Sequence, residues 1–200
     1  MDFDINREIS IKLRGSDGIK TVGVRFPTDE EWIERQAKRK VIVKQLGRGT
    51  SETIAPHNEE NDAALFEKIR KDETVAVDAF EASKIVEQLQ LADVDDVETL
   101  DNSVTVKLRV LGGSTVHHLK MPSLEDAFKY RASFARVFDL PYNRQEIRIN
   151  LRASGDLYKR LVESTEGYVG DVPIVHQAVV VRAVLDAQEA SLAEDSEANF

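Results

Sequence analysis

Ile9-Ser10-Ile11-Lys12-Leu13-Arg14 returns later in the chain as Val104-Thr105-Val106-Lys107-Leu108-Arg109, with Lys12 falling on Lys107. The match continues without a gap. Gly18 meets Gly113, Arg25 meets Lys120, Phe26 meets Met121 and Pro27 meets Pro122, followed by Thr28 on Ser123, Glu30 on Glu125 and Glu31 on Asp126. In the middle the register slips by three residues, so that Leu65-Phe66 and Ile69 fit Leu157-Tyr158 and Leu161. It then returns, with Val77, Ile85, Val86 and Leu89 falling on Val172, Val180, Val181 and Val184. A shared strand, turn, proline, cap and late helix make this an internal duplication. The reading is a first repeat at 1–92, an acidic linker at 93–102, a second repeat at 103–189 and a disordered acidic tail at 190–200.

Each copy opens with apolar residues at every second position, Ile9, Ile11 and Leu13 or Val104, Val106 and Leu108. That period predicts a half-buried strand. Glycine follows in both copies, at Gly18 and at Gly112-Gly113, as a tight hairpin turn requires. Pro27-Thr28 and Pro122-Ser123 predict helix starts, and Thr28 with Glu31 has the spacing of a capping box. The first helix is expected to run to about Leu46 along the stripe Ile33, Ala37 and Val41, and its counterpart to about Phe138. Residues 48–61 read as a polar loop, and Ile147, Ile149 and Leu151 as a short extra strand or extended arm. Short helices near 63–71 and 156–164 and closing helices at 79–91 and 174–190 complete the two units. A lone hairpin is marginal in water. The expected fold is therefore α+β: an internally duplicated β-hairpin plus helices unit, whose hairpins pair into one four-stranded antiparallel sheet covered by helices in one compact domain.

Cysteine is absent, which excludes disulfides and thiolate metal sites. The net charge of −9 argues against a protein that coats nucleic acid, while leaving room for a local basic face. No apolar run reaches the length of a membrane span, and residues 1–8 lack the apolar segment of a signal peptide. A cytoplasmic protein is expected.

No catalytic motif stands out. Adjacent His117 and His118 would point to opposite faces of a strand, and neither they nor His57 and His176 have a metal-ligand spacing. Asp93, Asp95, Asp96 and Glu98 lack the glycine and distal glutamate of a calcium loop, so a solvated linker is the better reading. Gly47-Arg48-Gly49-Thr50-Ser51 follows an expected helix rather than a strand and lacks the closing lysine of a phosphate loop. No metal or cofactor is implied.

The basic residues Arg35, Lys38, Arg39, Lys40, Lys44 and Arg48 cluster on or just after the first helix. Either they form a positive surface for nucleic acid or an acidic partner, or they are a solvent face paired with Glu30, Glu34 and neighbouring acids. Phe138, Tyr142 and Arg144 lie in an expected loop, Phe138-Asp139-Leu140-Pro141-Tyr142-Asn143-Arg144, that either meets a partner or folds back on the core.

The Phe26-Pro27-Thr28-Asp29-Glu30-Glu31-Trp32 lead-in to a basic helix, the Phe138–Arg144 loop and an Ala/Val-rich last helix with an acidic tail resemble tail-assembly accessory proteins of prophages and related contractile particles. That resemblance implies a non-enzymatic protein–protein interaction role in virion or tail assembly or structure. Its partners would be particle proteins or copies of itself, and it would be cytoplasmic in the host or virion-associated. The alternatives are a nucleic-acid-binding accessory protein using the basic helix, and an enzyme with a site between the repeats.

Overall fold

A computed structural model describes residues 2–15, 18–47, 50–54 and 58–197, and it contains the same unit twice. After a short strand β1 (Phe3–Asp4), the first copy runs β2 (Ile9–Gly15), β3 (Gly18–Val24), α1 (Asp29–Lys38), β4 (Val41–Gly47), β5 (Thr50–Ile54), α2 (Asn58–Ile69) and α3 (Ala79–Gln90). Strand β6 (Ala92–Leu100) leads into the second copy. That copy runs β7 (Ser103–Val110), β8 (Gly113–Lys120), α4 (Leu124–Phe134), β9 (Ala135–Leu140), β10 (Arg144–Ile149), α5 (Leu151–Leu161), β11 (Val162–Glu166), β12 (Tyr168–Val169) and α6 (Ile174–Glu197). Even a minor feature repeats: the isolated bridge Val24–Arg70 has its counterpart in the Leu119–Val162 pair of β8 and β11.

Both expected caps are present. The Thr28 hydroxyl accepts from the Glu31 N–H at 3.3 Å, and the Thr28 N–H donates to the Glu31 carboxylate at 2.9 Å. Ser123 and Asp126 make the same two bonds at 3.1 and 3.3 Å. Each cap satisfies donors that the first helical turn leaves over.

The chain divides into two compact bodies. One takes β1, Leu91–Phe134 and the chain from Leu151 onward; the other takes Ile5–Gln90 and Ala135–Asn150. These bodies do not coincide with the repeats, because the β9–β10 hairpin of the second copy joins the sheet of the first.

In the first body, β11-β8-β7-β6 form an antiparallel sheet. Along β7, Val104, Val106, Leu108 and Val110 are buried while their neighbours are not, the period-two pattern that the sequence predicts. Helix α6 packs on β6 and β7 and against α5, with Ile174, Val181, Val184 and Leu185 turned into the core. In the second body, β2 and β3 stay a two-stranded hairpin with Ile11, Leu13, Val22 and Val24 buried. Helices α2 and α3 pack together there and bury Leu65, Phe66, Ile69, Ile85, Val86 and Leu89.

The α+β class holds, and one four-stranded antiparallel sheet does combine a hairpin from each copy. The hairpins that combine are not the opening ones: the order is β5-β4-β10-β9. Helix α1 ends at Lys38 rather than near Leu46, because its cap Arg39 turns extended (φ −68, ψ 135) ahead of the β-branched run Val41-Ile42-Val43. Helix α4 likewise ends at Phe134, and Phe138 lies in a strand. The expected polar loop at 48–61 contains β5 and the first turn of α2. The short helices begin earlier than expected, at Asn58 and Leu151.

The acidic linker of 93–102 is also corrected, since its residues form β6 across to the turn into β7. Its carboxylates are tolerated in a strand because cations face them: Lys107 Nζ lies 2.9 Å from Asp96 and 2.8 Å from Glu98, and Arg109 lies 3.4 Å from Asp93. The tail expected from residue 190 is helical to Glu197 as the end of α6, and 198–200 lie outside the described residues.

Candidate interaction surface

Sheet β5-β4-β10-β9 differs from the other sheets in its burial: none of the described residues on its four strands is buried. The register sets out its two faces. Across one face run the rows Ile54–Ile42–Glu146–Phe138 and Glu52–Lys44–Arg144–Leu140. Across the other run Thr53–Val43–Gln145–Asp139 and Val41–Ile147–Val137. Val137 is 56% exposed and Phe138 40%. Among the described residues, strands β5 and β9 are the two edges of the sheet, each with a neighbouring strand on one side only.

The β9–β10 turn is Pro141-Tyr142-Asn143, with φ of 64° at Tyr142 and 53° at Asn143. A bulky residue rarely adopts the left-handed region, and doing so costs about 1–3 kcal/mol. The conformation is held by Arg144, whose Nε donates to the Pro141 carbonyl at 3.0 Å, and by the Asn143 carbonyl, which accepts from the Gln45 N–H at 2.9 Å. The result is a tyrosine ring 85% exposed at the hairpin tip, with the Arg144 guanidinium 5.7 Å from its centre. Arg148 lies 4.7 Å over the Phe138 ring on the same sheet. The segment Phe138–Arg144 therefore projects its aromatic tip into solvent rather than folding back on a core. Of the residues singled out in the sequence, Lys44, Phe138, Tyr142 and Arg144 come together on this sheet.

The rest of the basic group does not join them. Arg35 is buried, its Nε 2.5 Å from Asp62, its Nη1 donating to Gln90 at 2.8 Å and its guanidinium 5.3 Å from the centre of the Trp32 ring. Asp62 also accepts from Ser83 at 2.8 Å, and Arg39 lies 3.7 Å from it. Burial, together with the neighbouring Arg35, pulls the Arg39 guanidinium below its usual range. Lys38 pairs with Glu34 at 2.7 Å. Lys40 is exposed beyond the helix, and Arg48 lies outside the described residues. The stretch Gly47–Ser51 joins β4 to β5, with Arg48 and Gly49 outside the described residues. Helix α1 thus turns cations inward or against acids instead of presenting a basic face.

His117 and His118 do point to opposite faces of β8. His118 is partly exposed and bonds Thr105 at 3.1 Å, whereas His117 is buried in a polar network. The Tyr158 hydroxyl lies 2.8 Å from His117 Nδ1, and Thr115 and Tyr168 lie 3.3 and 3.4 Å from its Nε2. The Tyr168 hydroxyl continues to His176 Nδ1 at 3.1 Å. Burial pulls His117 down to about 4 and His176 down to about 3, so both imidazoles are neutral at pH 7. It also pushes Tyr168 up to about 12, and raises Tyr158.

Sequence reading missed this network, because its members are scattered over β8, α5, β12 and α6. Only the place of His117 in the apolar phase of β8 hinted at it. His57 lies outside the described residues. Among the described residues no group of three or more His, Asp or Glu is placed to hold a metal ion, and no helix is long and apolar enough to cross a membrane. No protein family, curated protein or solved structure matches the chain.

Proposed function

We propose that this protein is a non-enzymatic interaction component that docks other protein chains on sheet β5-β4-β10-β9. The single observation behind this reading is that sheet: four strands, two edge strands and no buried residue among those described. A sheet needs apolar burial on at least one face to be stable by itself. Here the aliphatic rows around Val41, Ile147 and Val137 and the aromatic tip are left for a partner. Strand addition to such an edge gives affinity through main-chain hydrogen bonds and specificity through alternate side chains.

The sequence resemblance to prophage tail-assembly and particle proteins supplies the setting: the partners are components of a phage-like particle, in the host cytoplasm or on the virion. The nucleic-acid reading is not adopted, since it depends on Arg35 and its neighbours, and Arg35 is buried against Asp62.

The test is tagged capture from cells producing the particle, with cross-linking and mass spectrometry, using wild type and Val137→Lys. A lysine on an edge strand blocks pairing without disturbing a core. Particle proteins cross-linked to β9 or β10 in the wild type and lost in the variant are the expected result. Equal recovery with both proteins, or recovery that disappears on nuclease treatment, would overturn the reading.

A further inference from the structure

The second hairpins of the two copies are equivalent strand for strand. Aligned on their first residues, Val41 of β4 on Ala135 of β9 and Thr50 of β5 on Arg144 of β10, the pair Ile42–Ile54 falls on Arg136–Arg148 and the pair Lys44–Glu52 on Phe138–Glu146. So β4 is the counterpart of β9, and β5 the counterpart of β10. Within the sheet, β4 pairs with β10. That seam is head to tail: the first strand of one hairpin meets the second strand of the other. The counterparts of the two edges that meet there are β9 and β5, and those are the strands left bare at the two ends of the sheet.

We propose that β5 of one molecule pairs antiparallel with β9 of another, repeating between copies the β10–β4 seam found within each. This rests on the interaction reading above and names the partner as a second copy of this chain. The internal register is Arg144–Lys44, Gln145–Val43, Glu146–Ile42 and Ile147–Val41. Carried to the free edges, it places Thr50 opposite Phe138 of the next copy, Ser51 opposite Val137, Glu52 opposite Arg136 and Thr53 opposite Ala135.

The charges favour this seam. The internal one sets Arg144 opposite Lys44, two like charges, whereas the seam between copies sets Glu52 opposite Arg136. Both of these residues are exposed, and neither has an ion-pair partner among the described residues. Every residue of β5 is exposed, as are the four central residues of β9. Neither strand carries the proline or lysine that commonly blunts an edge. Because the two edges differ, each added copy presents a fresh β5 or β9. Such a contact closes into a ring or continues as a filament, rather than stopping at a twofold dimer.

Sedimentation velocity of the full chain across a concentration series tests this. Wild type is expected to form concentration-dependent species beyond the dimer. Glu52→Lys and Arg136→Glu should each weaken assembly roughly tenfold or more, since each sets like charges opposite one another. An equimolar mixture of the two variants should recover assembly. The introduced lysine of one then faces the introduced glutamate of the other, while the remaining edges keep their native pair. Circular dichroism of each variant checks that the exposed substitutions leave the fold intact.

A wild type that stays monomeric throughout, or assembly indifferent to both substitutions and their mixture, would overturn the proposal. If the wild type is monomeric but Val137→Lys still abolishes capture of particle proteins, self-pairing fails while the docking function stands.

Discussion

Two four-stranded antiparallel sheets occur in this chain, and they use their side chains in opposite ways. In β11-β8-β7-β6, one face of β7 and β8 is sealed: Val104, Val106, Leu108, His117 and Leu119 have no measurable exposure. In β5-β4-β10-β9, no described residue is buried, although Val41, Ile42, Val43, Val137, Phe138 and Ile147 are as apolar as anything in the first sheet. Both grew from hairpins that the duplication supplied in pairs. The difference lies in what covers them. Helix α6 lies on β6 and β7 of the first sheet, whereas among the described residues the second sheet meets α1 only lightly, at β10. Apolar strand residues thus become core in one place and stay at least partly exposed in the other, with no change of residue type.

The comparison can be broken at its strong end first. Leu108→Ala in the sealed sheet should cost about 2–5 kcal/mol, the range for truncating a fully buried leucine, as read by denaturant unfolding. A cost within error would mean that the sheet is not the core it is described as.

Acid should act next, on the sealed sheet. Folded His117 has its pKa pulled from 6.5 to about 4, so the folded state stays neutral while the unfolded chain takes up a proton below pH 6.5. Stability is therefore full above pH 6.5 and is lost as pH falls toward 4. For His117 the loss is roughly 3 kcal/mol. Unfolding midpoints measured from pH 7 to pH 4 for wild type and His117→Gln should diverge, with the variant less sensitive. Parallel curves would show that the buried imidazole is not the group that titrates.

The smallest effect should come from the bare sheet. Phe138→Ala is expected to change stability by less than about 1 kcal/mol, as surface substitutions usually do, while reducing partner capture. A large loss of stability there would mean that the sheet is covered after all.

Much of the local structure was legible from particular residues. The period-two runs at Ile9–Leu13 and Val104–Leu108 became β2 and β7, and Thr28 and Ser123 cap the helices they were expected to cap. Three features misled for physical reasons. Val41 extended the helical stripe of Ile33 and Ala37, yet it starts a strand because Arg39 ends the helix in an extended conformation. The acids of β6 looked like a solvated linker because their partners, Lys107 and Arg109, lie on another strand. Arg35 looked like part of a basic face because its counter-ion, Asp62, lies 27 positions away on a different helix.

By itself the sequence determined that the unit is repeated, where its opening hairpins turn and where its helices begin. Those depend on neighbours within a few residues: alternation, glycine turns and hydroxyl caps. Only the tertiary structure decided which hairpins pair, which sheet is sealed and which arginine is buried. Alternation assigns a residue to a face but not to a neighbouring strand, because every strand edge offers the same backbone donors and acceptors. The choice among edges is made by side chains distant in sequence, and here it left β5 and β9 open.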